Sequence, residues 1–274
     1  MSENQPKPLP FVAPSCHIPL TAPWRWLKLG FKDIRRAPLV SLSIGLVLTL
    51  MLLSVSFLAW KYGSAWIMFA LLCGFVFVAP AACISTYAIS AQLQRHEPVS
   101  FVRTMRACFI RYLGTELVFT LVLLLIFLLW ARSNSVISIF LPPSGDFKPA
   151  DMLLYIGLFT SISLFFSGMM FTASQFALPM IMHRDVDAIT AAVTSINAMM
   201  KNKLAMLIWG LIIIGCLIIG ILTAGLLLIV FIPAIGHAVW HGYLETIDAS
   251  AYPRHKRGIT ASARTRNPDS EIDR

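Results

Sequence analysis

His237, His241 and Glu245 recur at intervals of four in the run Phe231-Ile-Pro-Ala-Ile-Gly-His-Ala-Val-Trp-His-Gly-Tyr-Leu-Glu. On a helix, positions i, i+4 and i+8 share a face. Two imidazoles one turn apart can chelate a transition metal, and a carboxylate beyond them can complete or support the site. The same pair can pass protons, because histidine titrates near neutral pH. Trp240 and Tyr243 beside them fit an aromatic belt, in which His241 and Glu245 act as anchors at headgroup level. A further carboxylate, Glu116, follows Arg111 and Tyr112 at the start of an apolar run. In His183-Arg-Asp-Val-Asp187 the two aspartates suit the start of the next helix and the two cations the end of the preceding one. No Walker loop, dinucleotide fingerprint, nucleophile elbow or zincin motif appears.

The elements that carry these residues are set by hydropathy. Of the 274 residues 57% are apolar, and the mean hydropathy is +0.75, beyond an ordinary soluble domain. Apolar runs of about twenty residues match the thickness of a bilayer. They are continuous rather than alternating, which selects helices over a barrel. The runs fall near Leu39–Trp60, Ala65–Ser90, Leu113–Ala131, Met152–Ile181, Leu204–Leu222 and Ala224–Ile247. The fold class expected is all-α, a polytopic membrane protein of six transmembrane helices. These form three parallel repeats, each an amphipathic helix followed by a helical hairpin. Each second span carries a proline, Pro80, Pro179 or Pro233, which frees a carbonyl that neighbours must satisfy.

The amphipathic segments are Thr21–Pro38, Pro98–Tyr112 and Asp185–Lys203. In the first, Trp24, Leu27, Phe31 and Ile34 form an apolar stripe beside a basic one of Arg25, Lys28, Lys32 and Arg35. The second places Phe101, Met105, Phe109 and Tyr112 on one face, with Arg103 and Arg106 elsewhere. In the third, Ile189, Val193, Ile196 and Met200 share one face and Thr190, Thr194, Asn197 and Lys201 another, with Asp187 as cap. Such helices are expected in the interface plane, as struts for each hairpin or as surface sensors. Residues 1–20 read as a disordered cytoplasmic lead without a signal-peptide pattern, 21–248 as the membrane domain and 249–274 as a disordered basic tail.

Of the 22 Lys and Arg residues, only Lys61, Arg132 and Lys148 fall on one side of this topology. The rest place both termini and the even loops in the cytoplasm. The net charge of +9 is therefore local to one leaflet, where Arg25, Lys28, Lys32, Arg35, Arg103 and Arg106 are the expected contacts for anionic phospholipid headgroups. Nucleic acid is not an expected partner. A membrane-protein partner or a second copy of the chain is compatible with the sequence. The five cysteines, Cys16, Cys73, Cys83, Cys108 and Cys216, have no ligand spacing and imply no disulfide framework.

Trp24-x-Trp-Leu-x-x-Gly-x-x-Asp-x-Arg-Arg-Ala-Pro-Leu-Val-Ser-Leu42, His183-Arg-Asp-Val-Asp-Ala-Ile-Thr-Ala and Gly236-His-Ala-x-Trp-His-Gly-Tyr243 resemble a bacterial family of predicted integral membrane proteins of unknown function, DUF2189. The resemblance runs over roughly Pro23–Asp248. It implies a multi-pass protein of the bacterial inner membrane and no activity, since the family carries no established site residues. Three functional classes stay open at this point. The leading expectation is a non-enzymatic protein that organises membrane or handles lipid or a small molecule, with no cofactor. The alternatives are a metal- or haem-binding accessory of a respiratory complex using His237 and His241, and a lipid-directed enzyme using Glu116, His237 or Glu245.

Overall fold

The computed structural model describes residues 10–63, 83–102, 104, 112–139 and 149–254. Described residues are almost all helical or in tight connections, and β-pairing among them is limited to two isolated bridges, Ser15 to Ile247 and Arg184 to Arg254. The helices are α1 (Ala22–Arg36), α2 (Pro38–Tyr62), α3 (83–94), α4 (Leu117–Ile139), α5 (Pro149–Ser174), α6 (Ala177–His183), α7 (Ala188–Lys201), α8 (Lys203–Leu222) and α9 (Leu228–Thr246). Four stretches among the described residues are long and apolar enough to cross a membrane: Pro38–Tyr62, Gly114–Ile137, Ala150–His183 and Lys203–Leu222. The second expected span lies outside the described residues up to position 82 and emerges only as α3. The expected last span is α9, shorter and more polar than those four.

Pro38 explains the elbow between α1 and α2. It has no N–H to continue α1 and disfavours helical backbone at Ala37, which sits at φ −133°, ψ 60°. Ser195 of α7 stitches the break between α5 and α6. Its hydroxyl donates to the carbonyl of Thr172 at 2.8 Å and accepts from the N–H of Phe176 at 3.1 Å. The hairpin between α8 and α9 closes with a bond from Gly225 N–H to the Gly220 carbonyl at 2.8 Å. Ala224 and Gly225 both have positive φ there, the backbone of a helix ending in a left-handed residue.

α9 is the axis of the structure. α1 and α2 pack along it, α8 and α6 touch it, and α4, α5 and α7 form the neighbouring group. The fit against α9 depends on small residues. A Cβ on Gly30 would stand 2.3 Å from the Ala234 carbonyl oxygen, and one on Gly45 would stand 2.0 Å from that of Ile229. Ile229 lies four residues before Pro233, so its carbonyl is the one deprived of an intrahelical N–H. α2 brings bare glycine backbone against that freed oxygen, the close approach that small residues permit between membrane helices. Trp26, fully buried, meets Trp209 and Phe176 edge-on at centroid distances of 5.9 and 6.4 Å.

α7 turns its small and polar face inward and much of its apolar stripe outward, whereas on α1 the stripe divides, with Trp24 outward and Ile34 buried. In α7, Thr190, Ala191, Thr194, Ser195 and Ala198 are buried, while Ile189 is 68% and Met200 51% exposed. In α1, Trp24 is exposed, whereas Trp26, Gly30 and Asp33 are buried. Against lipid the apolar side has no reason to turn inward, so close packing and hydrogen bonds choose the buried face. Asp187 does cap α7, accepting from Thr190 N–H at 2.9 Å. Residues 10–18 are hydrogen-bonded to the bundle. Cys16 N–H donates to the Thr246 carbonyl at 2.8 Å, Asp248 N–H to that of Pro14 at 2.9 Å, and Ala13 N–H to Thr194 Oγ1 at 3.2 Å. Ala249 and Tyr252 are buried in the same core, so the ordered chain continues past 248 to at least 254.

Candidate functional site

The most developed polar constellation lies where α1, α2, α3 and α9 meet. His237 is fully buried. Its Nε2 faces Ser41 Oγ of α2 at 3.0 Å, and its Nδ1 faces Ser90 Oγ of α3 at 2.8 Å. Ser90 Oγ donates to Asp33 Oδ2 of α1 at 2.8 Å. The same carboxylate oxygen meets His241 Nε2, also at 2.8 Å. His241 Nδ1 faces the Gln94 amide nitrogen at 3.5 Å, and the Gln94 amide oxygen accepts from Trp240 Nε1 at 3.3 Å.

Proton positions follow from what each group can donate. Ser90 has one hydroxyl proton and gives it to a carboxylate, so it must accept from His237. His237 therefore carries its proton on Nδ1, and its Nε2 accepts from Ser41. Asp33, acceptor only, takes the second bond from an Nε2–H of His241. His241 Nδ1 is left to accept from the Gln94 amide, whose oxygen is held by Trp240. Every bond in the chain from Ser41 to Trp240 then has one donor and one acceptor. Buried polar groups satisfied in this way rigidify a core and specify one packing.

Burial pushes the Asp33 carboxyl upward, but the hydrogen bonds from His241 and Ser90 outweigh it and hold the group below its ordinary value. Its contribution to stability is complete above the ordinary carboxyl value of about 3.9. It disappears as pH falls through the lowered value, where protonation removes the shared acceptor. Melting curves of purified protein in detergent should therefore show an acid loss below about pH 4 that Asp33→Asn reduces. Equal acid sensitivity in both proteins would show that other carboxylates dominate.

Glu245 belongs to the same face of α9 but to a separate pair of contacts. It forms an ion pair with Arg25 and accepts from Trp26 Nε1 at 2.8 Å. His183, one of the expected capping cluster, meets Tyr243 OH at 3.0 Å and packs edge-on against Trp240. Glu116 is buried elsewhere, ending the π-helical turn Tyr112–Glu116 before α4. Lys28, Lys32 and Arg35 lie exposed on α1, with Arg36 beside them. Arg103 and Arg106 lie outside the described residues.

The sequence spacing thus places His237 and His241 on one face of α9, but it does not reveal Asp33, Ser41 or Ser90 as their partners. Asp33 and Ser41 do stand within the run Trp24–Leu42. Their pairing with α9 spans about two hundred positions, beyond what periodicity can detect. As donors for a metal or haem iron, His237 and His241 are poorly placed, since all four ring nitrogens face protein groups. Among the described residues no three His, Cys, Asp or Glu side chains gather as a metal-holding group. The arrangement suits a polar brace between helices.

Apolar helices of membrane-spanning length, enclosing a small polar core at one end of the bundle, define an all-α integral membrane protein. Residues 67–183 match the model of a family described as predicted integral membrane protein, DUF2189. The match lies between the runs Trp24–Leu42 and Gly236–Tyr243 and includes neither. No curated protein and no solved structure matches the chain.

Proposed function

We propose that this chain is a non-enzymatic lipid-handling protein of the bacterial inner membrane. In this reading it has six spans in three parallel units and both termini in the cytoplasm. The observation that carries it is the division of labour on α1. One face holds Trp26, Gly30 and Asp33 against α9, and the other leaves Lys28, Lys32, Arg35 and Arg36 exposed beside the start of span α2. A helix fixed so firmly to the bundle presents its cations as a rigid row at one leaflet, where each contributes about 1 kcal/mol toward anionic headgroups. The one-sided distribution of lysine and arginine supports the orientation, and the satisfied histidine chain supports a structural role for the polar core.

The test is native mass spectrometry of full-length protein from micelles containing phosphatidylglycerol and phosphatidylcholine with matched chains. Retained phosphatidylglycerol should fall by about 100-fold in the triple variant Lys28→Glu/Lys32→Glu/Arg35→Glu, with the melting temperature unchanged. Undiminished retention would overturn the reading.

A further inference from the structure

α3 ends in a defined way. His96 takes a left-handed conformation at φ 56°, its N–H donates to the Leu93 carbonyl at 3.3 Å, and Glu97 N–H reaches back to the Gln92 carbonyl at 3.0 Å. This is a Schellman ending, and Pro98 then prevents any continuation. The motif fixes the chain direction at Glu97 and turns it toward the elbow between α1 and α2. There a cavity of about 410 Å³ opens between Arg36, Pro38, Leu39, Leu93, Glu97 and Val99. Its floor is the second apolar cluster of the protein, in which Ala37, Ile44, Leu48 and Ile89 are buried under Val40, Leu93 and Val99.

We infer that this elbow cavity is a binding site for a zwitterionic aminophospholipid, with Arg36 on the phosphate and Glu97 on the ammonium group. Among the described residues neither Arg36 nor Glu97 takes part in an ion pair, so one cation and one anion border the same apolar cavity. A guanidinium is suited to a phosphate, through paired N–H donors. A carboxylate discriminates a primary ammonium, which can donate to it, from a quaternary one, which cannot. Depth agrees with this occupant. Arg36 ends the surface helix and Pro38 begins the span, so the cavity lies at headgroup level, and Leu39, 86% exposed, continues its apolar wall into the acyl region. The volume falls within the range of about 300–1,000 Å³ common for small-ligand sites.

The inference rests on the lipid-handling reading for its orientation, but it can fail separately. Full-length protein is loaded from micelles with equimolar phosphatidylethanolamine, phosphatidylcholine and phosphatidylglycerol of identical chains, and retained lipid is read by native mass spectrometry. Wild type should keep phosphatidylethanolamine over phosphatidylcholine by at least about fivefold, equivalent to about 1 kcal/mol. Glu97→Gln should abolish that preference without lowering phosphatidylglycerol retention, and Arg36→Ala should reduce both zwitterionic lipids together. Equal retention of the two by wild type, or a preference that survives Glu97→Gln, overturns the site. In that case loss of phosphatidylglycerol in the Lys28/Lys32/Arg35 triple variant would still uphold the basic-face reading. A phosphatidylethanolamine preference intact in the triple variant upholds the elbow site by itself.

Discussion

Gly45→Leu should be among the most damaging single substitutions in this protein. A Cβ at that position would lie 2.0 Å from the Ile229 carbonyl oxygen and 2.9 Å from Pro233 Cδ. The first of these is backbone in the helix against which α1 and α2 pack and cannot rotate away. α2 must then withdraw from α9, which uncovers the carbonyl freed by Pro233 and separates Ser41 from His237 one turn earlier on the same helix. Overpacking alone costs about 1–3 kcal/mol, and loss of a buried hydrogen bond adds about another 1–3. At about 2–4 °C per kcal/mol for a chain of this size, the melting temperature in detergent should fall by roughly 10 °C, or monodisperse protein should be lost. Gly210→Leu on α8 is the control, because a side chain there would meet nothing within 4 Å. If the two variants melt alike, the close approach of α2 to α9 is not what holds this end of the bundle.

The second large effect is expected at Asp33. Its Oδ2 receives both Ser90 and His241, so Asp33→Ala leaves one buried and one partly buried donor without an acceptor. Removing one member of a buried, charged, hydrogen-bonded set typically costs about 3–5 kcal/mol. Asp33→Asn keeps an oxygen in place and should cost less than half as much. The diagnostic measurement is a double-mutant cycle. Asp33→Ala and His241→Ala should be strongly non-additive, with a coupling of about 1–3 kcal/mol. Asp33→Ala and Tyr243→Phe, which alters the separate contact to His183, should add. Additivity in the first cycle would mean that the brace does not act as a unit.

Much of this fold is legible in the sequence, because bilayer thickness and apolar run length speak directly. The boundaries of α2, α8 and the Ala150–His183 stretch follow from where prolines, lysines and turn residues interrupt apolar runs. The shared face of His237 and His241 follows from helical period. The inward face of α7 does not, and that of α1 does so only in part. A water-exposed helix buries its apolar stripe, a rule that holds at Ile34 and fails at Trp24 and Ile189. In this bundle the buried positions are Gly30, Asp33, Thr194 and Ser195, chosen by close approach and hydrogen bonding. Gly45 gives the same lesson in smaller form. Within an apolar run it carries no signal until the carbonyl freed by Pro233, almost two hundred residues later, is set against it.

The placement of α9 has a consequence for biosynthesis. The helix that α1 and α2 need as their partner follows all the other helices described here in the chain. Segment 10–18 likewise finds its hydrogen-bond partners late in the chain, at Thr194, Asn202, Thr246 and Asp248. As the chain emerges from the ribosome, Asp33, Ser41 and Ser90 enter the membrane region long before His237 and His241 exist to receive them. The bundle described here therefore closes after synthesis of α9, and its early helices wait as separate, polar-bearing segments. Such a chain depends on the insertion machinery to hold them, and ribosome-bound intermediates should be far more open to protease than the finished protein.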